Sequence, residues 1–357
     1  MMHLGLSLTP FGHHPEAWRQ PAATPQALEF GHLVSQVQKA QEGALDFVLL
    51  DDCQARRPLI DLSSQSVPFE PTTLVAALAT RVTQIGFVVT AASAQHELYN
   101  LARRFASLDL ISQGRIGWNL VASGNVASWD EEYVAVVAAL WDSWDADAFL
   151  YDKLAGRFFD PQKMHVLDHR GEHFTVRGPL NVNPSPQGKP VIAQTLAAAP
   201  FGVGPLTDLM LVGGASREAA RASVTEARQF VASRGRVAAE VRTLAKVIPW
   251  IGATRAEAQD RFARINELPL QSSAKARQGI DVIGTASEVA DVLHESFERD
   301  EFDGFVIMPP IIPGDLHIFV DHVVPELQRR GVFRARYAGS TLRDHLNLRH
   351  PRHSNNE

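Results

Sequence analysis

Cysteine is nearly missing from this chain: Cys53 is the one thiol among 357 residues. A single thiol excludes an intrachain disulfide and suits a reducing cytoplasm. No Cys/His signature surrounds Cys53, so a buried or merely tolerated thiol is the better reading than a nucleophile. Long apolar runs are missing too. No stretch approaches the roughly 18 residues that suggest a membrane span, and the opening MMHLGLSLTPFGHH lacks the regions of a signal peptide. Basic charge is not in excess: 34 Lys and Arg stand against 40 Asp and Glu, which argues against a nucleic-acid surface. No Gly-x-Gly-x-x-Gly turn follows an apolar run, so a nicotinamide-binding Rossmann unit has no support. Histidines are grouped at His13-His14 and at His165, His169 and His173, but none has helical His-Glu-x-x-His spacing, and no metal site is expected. These absences lead to the expectation of a soluble, cytoplasmic protein.

What is present is an alternation. Short apolar runs at 4–8, 47–50, 85–89, 116–121, 191–193, 209–212, 244–251 and 304–308 are separated by longer segments of helical periodicity. Helix starts are marked by Pro71 and by capping boxes at Ser128–Glu131, Thr254–Glu257 and Thr285–Glu288. Eight strands with helices between them predict a closed (β/α)8 TIM barrel rather than an open sheet. Residues 145–189, rich in charge, His, Gly and Pro, break the rhythm and are read as a large insertion after strand 4. The barrel is assigned to residues 1–333. Residues 334–357 form a C-terminal arm whose last segment, RHPRHSNNE, is read as disordered.

The most specific stretch is LARRFASLDLISQGRIGWNLVAS, residues 101–123. It resembles the flavin-dependent monooxygenases of the bacterial luciferase-like superfamily, in the branch with the nitrilotriacetate, EDTA, dibenzothiophene-sulfone and long-chain alkane enzymes. Residues 14–19 (HPEAWR), 140–194, and the C-terminal runs PGDLHIFVDHVVPELQRRGVFR and YAGSTLRDHLNLRHP carry the resemblance over nearly the whole length. It implies a two-component oxygenase. Reduced FMN arrives from a separate flavin reductase, reacts with O2 to a flavin C4a-(hydro)peroxide, and one oxygen atom enters a small organic substrate. It also implies a homodimer or homotetramer, with the apolar C-terminal helix and residues 337–348 as contact elements.

Site residues follow from strand ends and from the resemblance. Asp52 and Thr90 close strands 2 and 3 at the face where barrels work, placed to hydrogen-bond an isoalloxazine edge. The small Ala91, Ala92 and Ser93 after Thr90 would let the ring approach the backbone. Asn119 is an amide inside an apolar strand and needs a partner, and Ser123 lies just beyond that strand's end. By the resemblance Tyr133 is a phosphate ligand near a helix N-terminus, and the backbone after Gln194 and Thr195 holds the phosphate too. Arg103, Arg104, Asp109 and Arg115 are read as a structural charge network.

Several positions depart from the family pattern. Asp51 replaces a small residue, Ala122 a threonine, Trp129 a histidine and Glu132 an arginine, and the phosphate-binding serine after Gln194 is missing. Weak flavin binding is therefore expected, with a protein that purifies colourless. Trp129 and Phe201 suggest a bulky apolar wall and a hydrophobic substrate. Two other readings stay open: a non-catalytic or weakly flavin-binding barrel that acts as a subunit or regulatory partner, and a different flavin or deazaflavin oxidoreductase.

Overall fold

The computed structural model describes residues 1–21, 23, 25–52, 69–122, 127–196, 206–268, 279–299 and 302–351. Apolar runs become strands and amphipathic segments become the helices that cover them. Strand β1 (His3–Ser7) leads to α1 (Phe30–Glu42), β2 (Phe47–Leu50), α2 (Pro71–Leu78), β3 (Gly86–Ala92), α3 (Leu98–Ile111), β4 (Ile116–Val121) and α4 (Ala127–Trp141). Two small hairpins follow in the insertion, β5 (Phe149–Asp152) with β6 (Arg157–Phe159), and β7 (His169–Arg170) with β8 (Thr175–Val176). The second half comprises β9 (Val191–Leu196), β10 (Leu209–Val212), α5 (Arg217–Ser233), β11 (Arg242–Ile251), α6 (Arg255–Asn266), β12 (Ile280–Gly284), α7 (Ala286–Arg299) and β13 (Gly304–Ile307). Helices α8 (Gly314–Ile318) and α9 (Val324–Arg329), joined through a π-helical turn, and the short α10 (Leu342–His345) complete it.

The eight expected strands close on themselves in parallel. The order β1, β2, β3, β4, β9, β10, β11, β13 returns to β1, where His3 pairs with Gly304, and Leu209 of β10 pairs with Arg242 of β11. This is the (β/α)8 barrel. The sequence reading missed β12, which pairs in parallel with the last five residues of β11, Val247 to Ile251. Its run Ile-Asp-Val-Ile is only half buried and lacks the continuous apolar signature of the other strands.

Caps show where local signals hold. Glu288 accepts from Thr285 N–H at 2.8 Å while Thr285 accepts from Glu288 N–H, so that box is real. Thr254 caps α6 at Glu257 N–H. The box expected at Ser128 does not form: α4 already begins at Ala127, Ser128 meets His173 at 3.0 Å, and Glu131 is bound by Arg234.

The barrel floor is built by the C-terminal segment. Leu342, Leu346 and Leu348 pack beneath the strands against Phe47, Leu49, Val88, Val191 and Leu244. Glycine makes the space. A Cβ on Gly86 would lie 2.6 Å from Leu342 Cδ1, and one on Gly5 would lie 2.4 Å from the Phe47 ring. Polar ties fix the segment: Arg334 to Asp46 at 2.6 Å, Arg343 to Asp208 at 2.9 Å, and Arg242 to the carbonyls of Leu346 and Asn347. Residues 342–348, expected among the oligomer contacts, thus bury their apolar side chains in their own barrel.

Two members of the predicted charge network knot that same end. Arg115 donates to four backbone carbonyls, while Asp109 accepts from Ile116 N–H, Gln187 and Ser185. Arg103 and Arg104 are exposed. Burial pushes the Asp109 carboxyl up to about 6, against its hydrogen bonds. A carboxyl raised in the folded state favours folding when protonated, so its advantage is complete below about pH 4 and lost as pH rises through 6. Above that, the buried anion opposes folding by up to about 3 kcal/mol, two pKa units at 1.36 each. Asp109→Asn is therefore expected to match or exceed the parent's denaturant midpoint at pH 7.5, the two converging near pH 4.5. A parent advantage that grows between pH 5 and 7.5 would refute this.

Candidate active site at the carboxyl ends of the strands

Side chains alternate in and out along a strand, so the floor cluster fixes which parity points into the barrel. Phe47 and Leu49 on β2, Val88 on β3, Val191 and Ala193 on β9 and Leu244 on β11 all belong to it. The next inward positions, one layer nearer the mouth, are Asp51, Thr90, Thr195 and Lys246, with Asn119 alongside on β4. An apolar floor therefore gives way to a polar belt at the end where barrels of this type carry their chemistry.

The belt is a directed chain of hydrogen bonds. Thr195 Oγ1 donates to Asn119 Oδ1 at 3.2 Å, Asn119 Nδ2 donates to Thr90 Oγ1 at 2.8 Å, and Thr90 Oγ1 donates to Asp51 Oδ1 at 3.1 Å. Strand register makes it possible: Thr90 pairs with Asn119, and Asn119 with Ala193, two residues before Thr195. Asn119 and Thr90 are almost completely buried. Hydroxyl and amide groups there can exchange partners without leaving a buried dipole unmatched.

Charge enters from the opposite side. Lys246, 4% exposed, projects from β11, and His13 meets the Ser7 carbonyl through Nε2 at 2.9 Å. Burial pulls the His13 imidazole down to about 4; the Ser7 bond opposes this, Lys246 lowers it further and Asp51 raises it. His13 is thus a neutral imidazole at pH 7, sitting between a cation and a carboxylate. Above Lys246 the wall is apolar, formed by Ile248, Trp250 and Met308, with His14 edge-on to Trp250 at 6.0 Å.

Of the residues chosen from sequence, Thr90, Asn119 and Thr195 come together in one chain. Asp52 lies beside it at the rim, but its neighbour Asp51 takes the Thr90 hydroxyl. Asp52 acts on His96, whose imidazole is held low by burial and then by Arg104, with Glu70 and Asp52 opposing. Gln194 is buried on the face of β9 opposite to Thr195. Tyr133 stacks on Trp129 at 5.3 Å, packs against Trp118 and Phe174, and donates its hydroxyl to His96 O at 2.9 Å. Burial pushes that phenol well above its usual range. Ser123, Cys53 and Phe201 lie outside the described residues.

Sequence reasoning did not choose Lys246 or His13 as candidate site groups, and it noted Asp51 only as a departure from the family pattern. One signal for Lys246 was available: a charged residue at inward parity within the apolar run TLAKVIPWI. The insertion histidines serve attachment. Glu132 accepts from His169 Nε2 at 2.7 Å and from the backbone N–H groups of His173 and Phe174, and His165 meets Asp145 at 2.9 Å. The His169 bond is the main cause holding the Glu132 carboxyl down to about 2. Ser93 ties the end of β3 to α4 by donating to Asp130 at 2.5 Å. Among the described residues no group of three or more His, Cys, Asp or Glu could hold a metal ion, and no helix is long and apolar enough to cross a membrane.

Known proteins share this architecture along its length. The profile described as luciferase-like monooxygenase matches residues 11–299. N-acetyl-S-(2-succino)cysteine monooxygenase of Bacillus subtilis (strain 168) is 32% identical over 98% of this chain and 97% of its own. Nitrilotriacetate monooxygenase component A of Aminobacter aminovorans is 32% identical over 99% of this chain and 98% of its own. The solved structure of EDTA monooxygenase from Chelativorans sp. BNC1 superposes with a TM-score of 0.83, at 28% identity, covering 98% of this chain and 99% of that one.

Proposed function

The chain belongs to the luciferase-like monooxygenase family, and from that premise we propose that it is the oxygenase component of a two-component system. It takes reduced FMN from a separate flavin reductase in the cytoplasm and transfers one atom of O2 to a small, hydrophobic organic substrate, the other atom leaving as water. The observation that carries this reading is the chain from Thr195 through Asn119 and Thr90 to Asp51 at the barrel mouth. Its chemistry fits the cofactor: the isoalloxazine edge presents both N–H donors and carbonyl acceptors, and hydroxyl and amide side chains answer either. Ala92, two residues beyond Thr90 on the same face of β3, leaves room for a flat ring, and Ile248, Trp250 and Met308 give an apolar wall.

When bound, reduced flavin supplies the two electrons and the activation of O2. The chain's own groups bind, orient and exclude water. Thr90, Asn119 and Thr195 hold the ring edge, with Asp51 anchoring their hydroxyl chain and Asp52 at the rim. The phosphate side is assigned to Ser123, Tyr133 and the backbone after Gln194, the Tyr133 hydroxyl exchanging the His96 carbonyl for a phosphate oxygen. The working assembly is a homodimer or homotetramer built on surfaces other than the buried apolar side of residues 342–348. Sedimentation at micromolar concentration that shows only monomer would remove that element.

Anaerobic titration with reduced FMN tests the reading. Native-state binding must raise the melting temperature. Asn119→Leu removes two of the three links of the chain and is expected to weaken reduced-FMN binding roughly tenfold to a hundredfold, the worth of one or two such hydrogen bonds. Oxygen uptake in the presence of a flavin reductase, NADH and hydrophobic candidate substrates tests turnover. If reduced FMN leaves the melting curve unmoved, the non-catalytic barrel takes over.

A further inference from the structure

One stretch of surface carries apolar side chains where solvated ones are expected. In the insertion, the hairpin of β5 and β6 exposes Leu150, Tyr151, Leu154 and Phe158, with Leu154 102%, Phe158 59% and Tyr151 58% exposed. The other large apolar side chains exposed among the described residues are spread singly along the chain, which needs no explanation. Four of them within nine residues does. The hairpin is also held firmly. Asp152 Oδ1 accepts from the N–H groups of Leu154 and Ala155 at 3.0 and 2.9 Å, which fixes the turn. The Tyr151 and Phe158 rings meet edge to face at 5.2 Å and both lie against Phe149, which packs on Trp144 at 4.9 Å. Trp144 is buried and donates to the Leu180 carbonyl at 2.6 Å. Tyr151 sits in this group with a φ of +49°, an uncommon conformation for an aromatic residue. An apolar surface ordered in advance loses little freedom when it is covered.

Charge is divided along the hairpin. Lys153 and Arg157 stand at the tip, where Asp152 is the single acid. Asp145, Asp147 and Asp160 stand at the base, with Lys163 bound to Asp147. The tip is thus net positive and the base net negative. We infer that this hairpin is the contact through which two copies of the chain assemble about a twofold axis, each tip lying over the base of the other. The inference rests on the homo-oligomeric assembly proposed above and gives it a surface. A twofold contact brings one patch onto its own copy, so the patch must complement itself. An apolar centre with opposite charges at its two ends does so when laid antiparallel. An anionic lipid surface would suit the basic tip but not the acidic base, and the chain as a whole carries an excess of acid. Residues 342, 346 and 348 are committed to their own barrel floor and leave the hairpin as the apolar surface in want of a cover. A standard interface takes roughly 20–30 residues a side, so the hairpin forms its centre and the rest of the insertion its rim.

The test is sedimentation velocity of the full chain at micromolar concentration, with circular dichroism to verify that each variant is folded. The parent is expected to sediment as a dimer or larger. Leu154→Ser combined with Phe158→Ser should weaken self-association roughly tenfold or more, because residues at the centre of an interface carry most of its energy. A tetramer built on two kinds of contact would fall to dimers. Two charge variants test the arrangement: Lys153→Glu with Arg157→Glu makes the tip acidic, and Asp147→Lys with Asp160→Lys makes the base basic. Each alone should dissociate, and mixing the two should restore a mixed assembly, since acidic tips then lie over basic bases and basic tips over acidic ones. An oligomeric parent whose serine variant sediments unchanged overturns the inference. Charge variants that dissociate but do not recover on mixing overturn the antiparallel pairing and the inference with it. A monomeric parent means that the homo-oligomeric reading itself has failed, a result distinct from the other two, and its co-sedimentation with phosphatidylserine vesicles would give the hairpin to a membrane instead.

Discussion

A chain cut after Phe333 is expected not to fold. The segment that would be lost supplies the barrel floor: Leu342 and Leu346 are fully buried, Leu348 nearly so, among inward side chains of six different strands. Each buried leucine truncated to alanine costs about 2–5 kcal/mol, so three together remove about 6–15, as much as a domain's whole stability of roughly 5–15. The cut also strips Arg334 from Asp46, which is 0% exposed, and Arg343 from Asp208. A buried carboxylate that loses its partner costs a further ~3–5 kcal/mol. Expression of residues 1–333 beside the full chain, followed by circular dichroism of whatever is soluble, checks this. A soluble fragment that melts cooperatively within a few degrees of the parent would show that the floor is dispensable.

Replacing Arg115 with methionine is expected to cost about 3–5 kcal/mol, the range for breaking up a buried charged network. The guanidinium donates to Ser112 O and Ile85 O at 2.7 Å and to Ala79 O and Val82 O at 3.0 Å, tying the turn before β3 to the turn before β4. Burial pushes its pKa down to about 10, so it remains charged at pH 7. Methionine fills similar space and leaves four carbonyls without that donor. Lysine is expected to rescue less than half of the loss, because a single ammonium cannot reproduce the planar fork. Denaturant midpoints of the two variants decide the matter; equal stability of parent and Arg115→Met would mean that water satisfies those carbonyls.

The fold was legible because burial on both faces writes a parallel strand as a plain apolar run. Phe-Val-Leu-Leu at β2 and Leu-Met-Leu-Val at β10 are such runs. β12 was not legible, because it pairs only with the end of β11 and keeps Asp281 for the Trp250 indole at 2.8 Å. In the site, Thr90 and Asn119 could be found as polar residues interrupting apolar strands. Choosing Asp51 over Asp52 as the partner of Thr90 needed the parity of a strand end, and a slip of one residue turns a side chain to the other face. His13 and Lys246 lie 233 positions apart in sequence by their numbering, and only barrel closure brings them into one field. Ser128 misled for a local reason: its capping pattern is present, but the helix starts a residue earlier and the hydroxyl is taken by His173.

Closure of the barrel between its first and last strands has a consequence for how the protein is made. β1 pairs with β13, His3 opposite Gly304, so this strand gains one of its two neighbours only after some 300 further residues are synthesised. Until then β1 presents an open backbone edge, the kind of surface that recruits other strands. Contacts of such long sequence separation also form slowly, because the loop entropy is lost before the pairing is gained. The nascent chain therefore spends its synthesis as an unfinished, curling sheet, and crowding of neighbouring nascent chains is its principal hazard. Slow translation at low temperature, or an abundant holdase, should raise the recovered yield more than any change to the residues at the mouth.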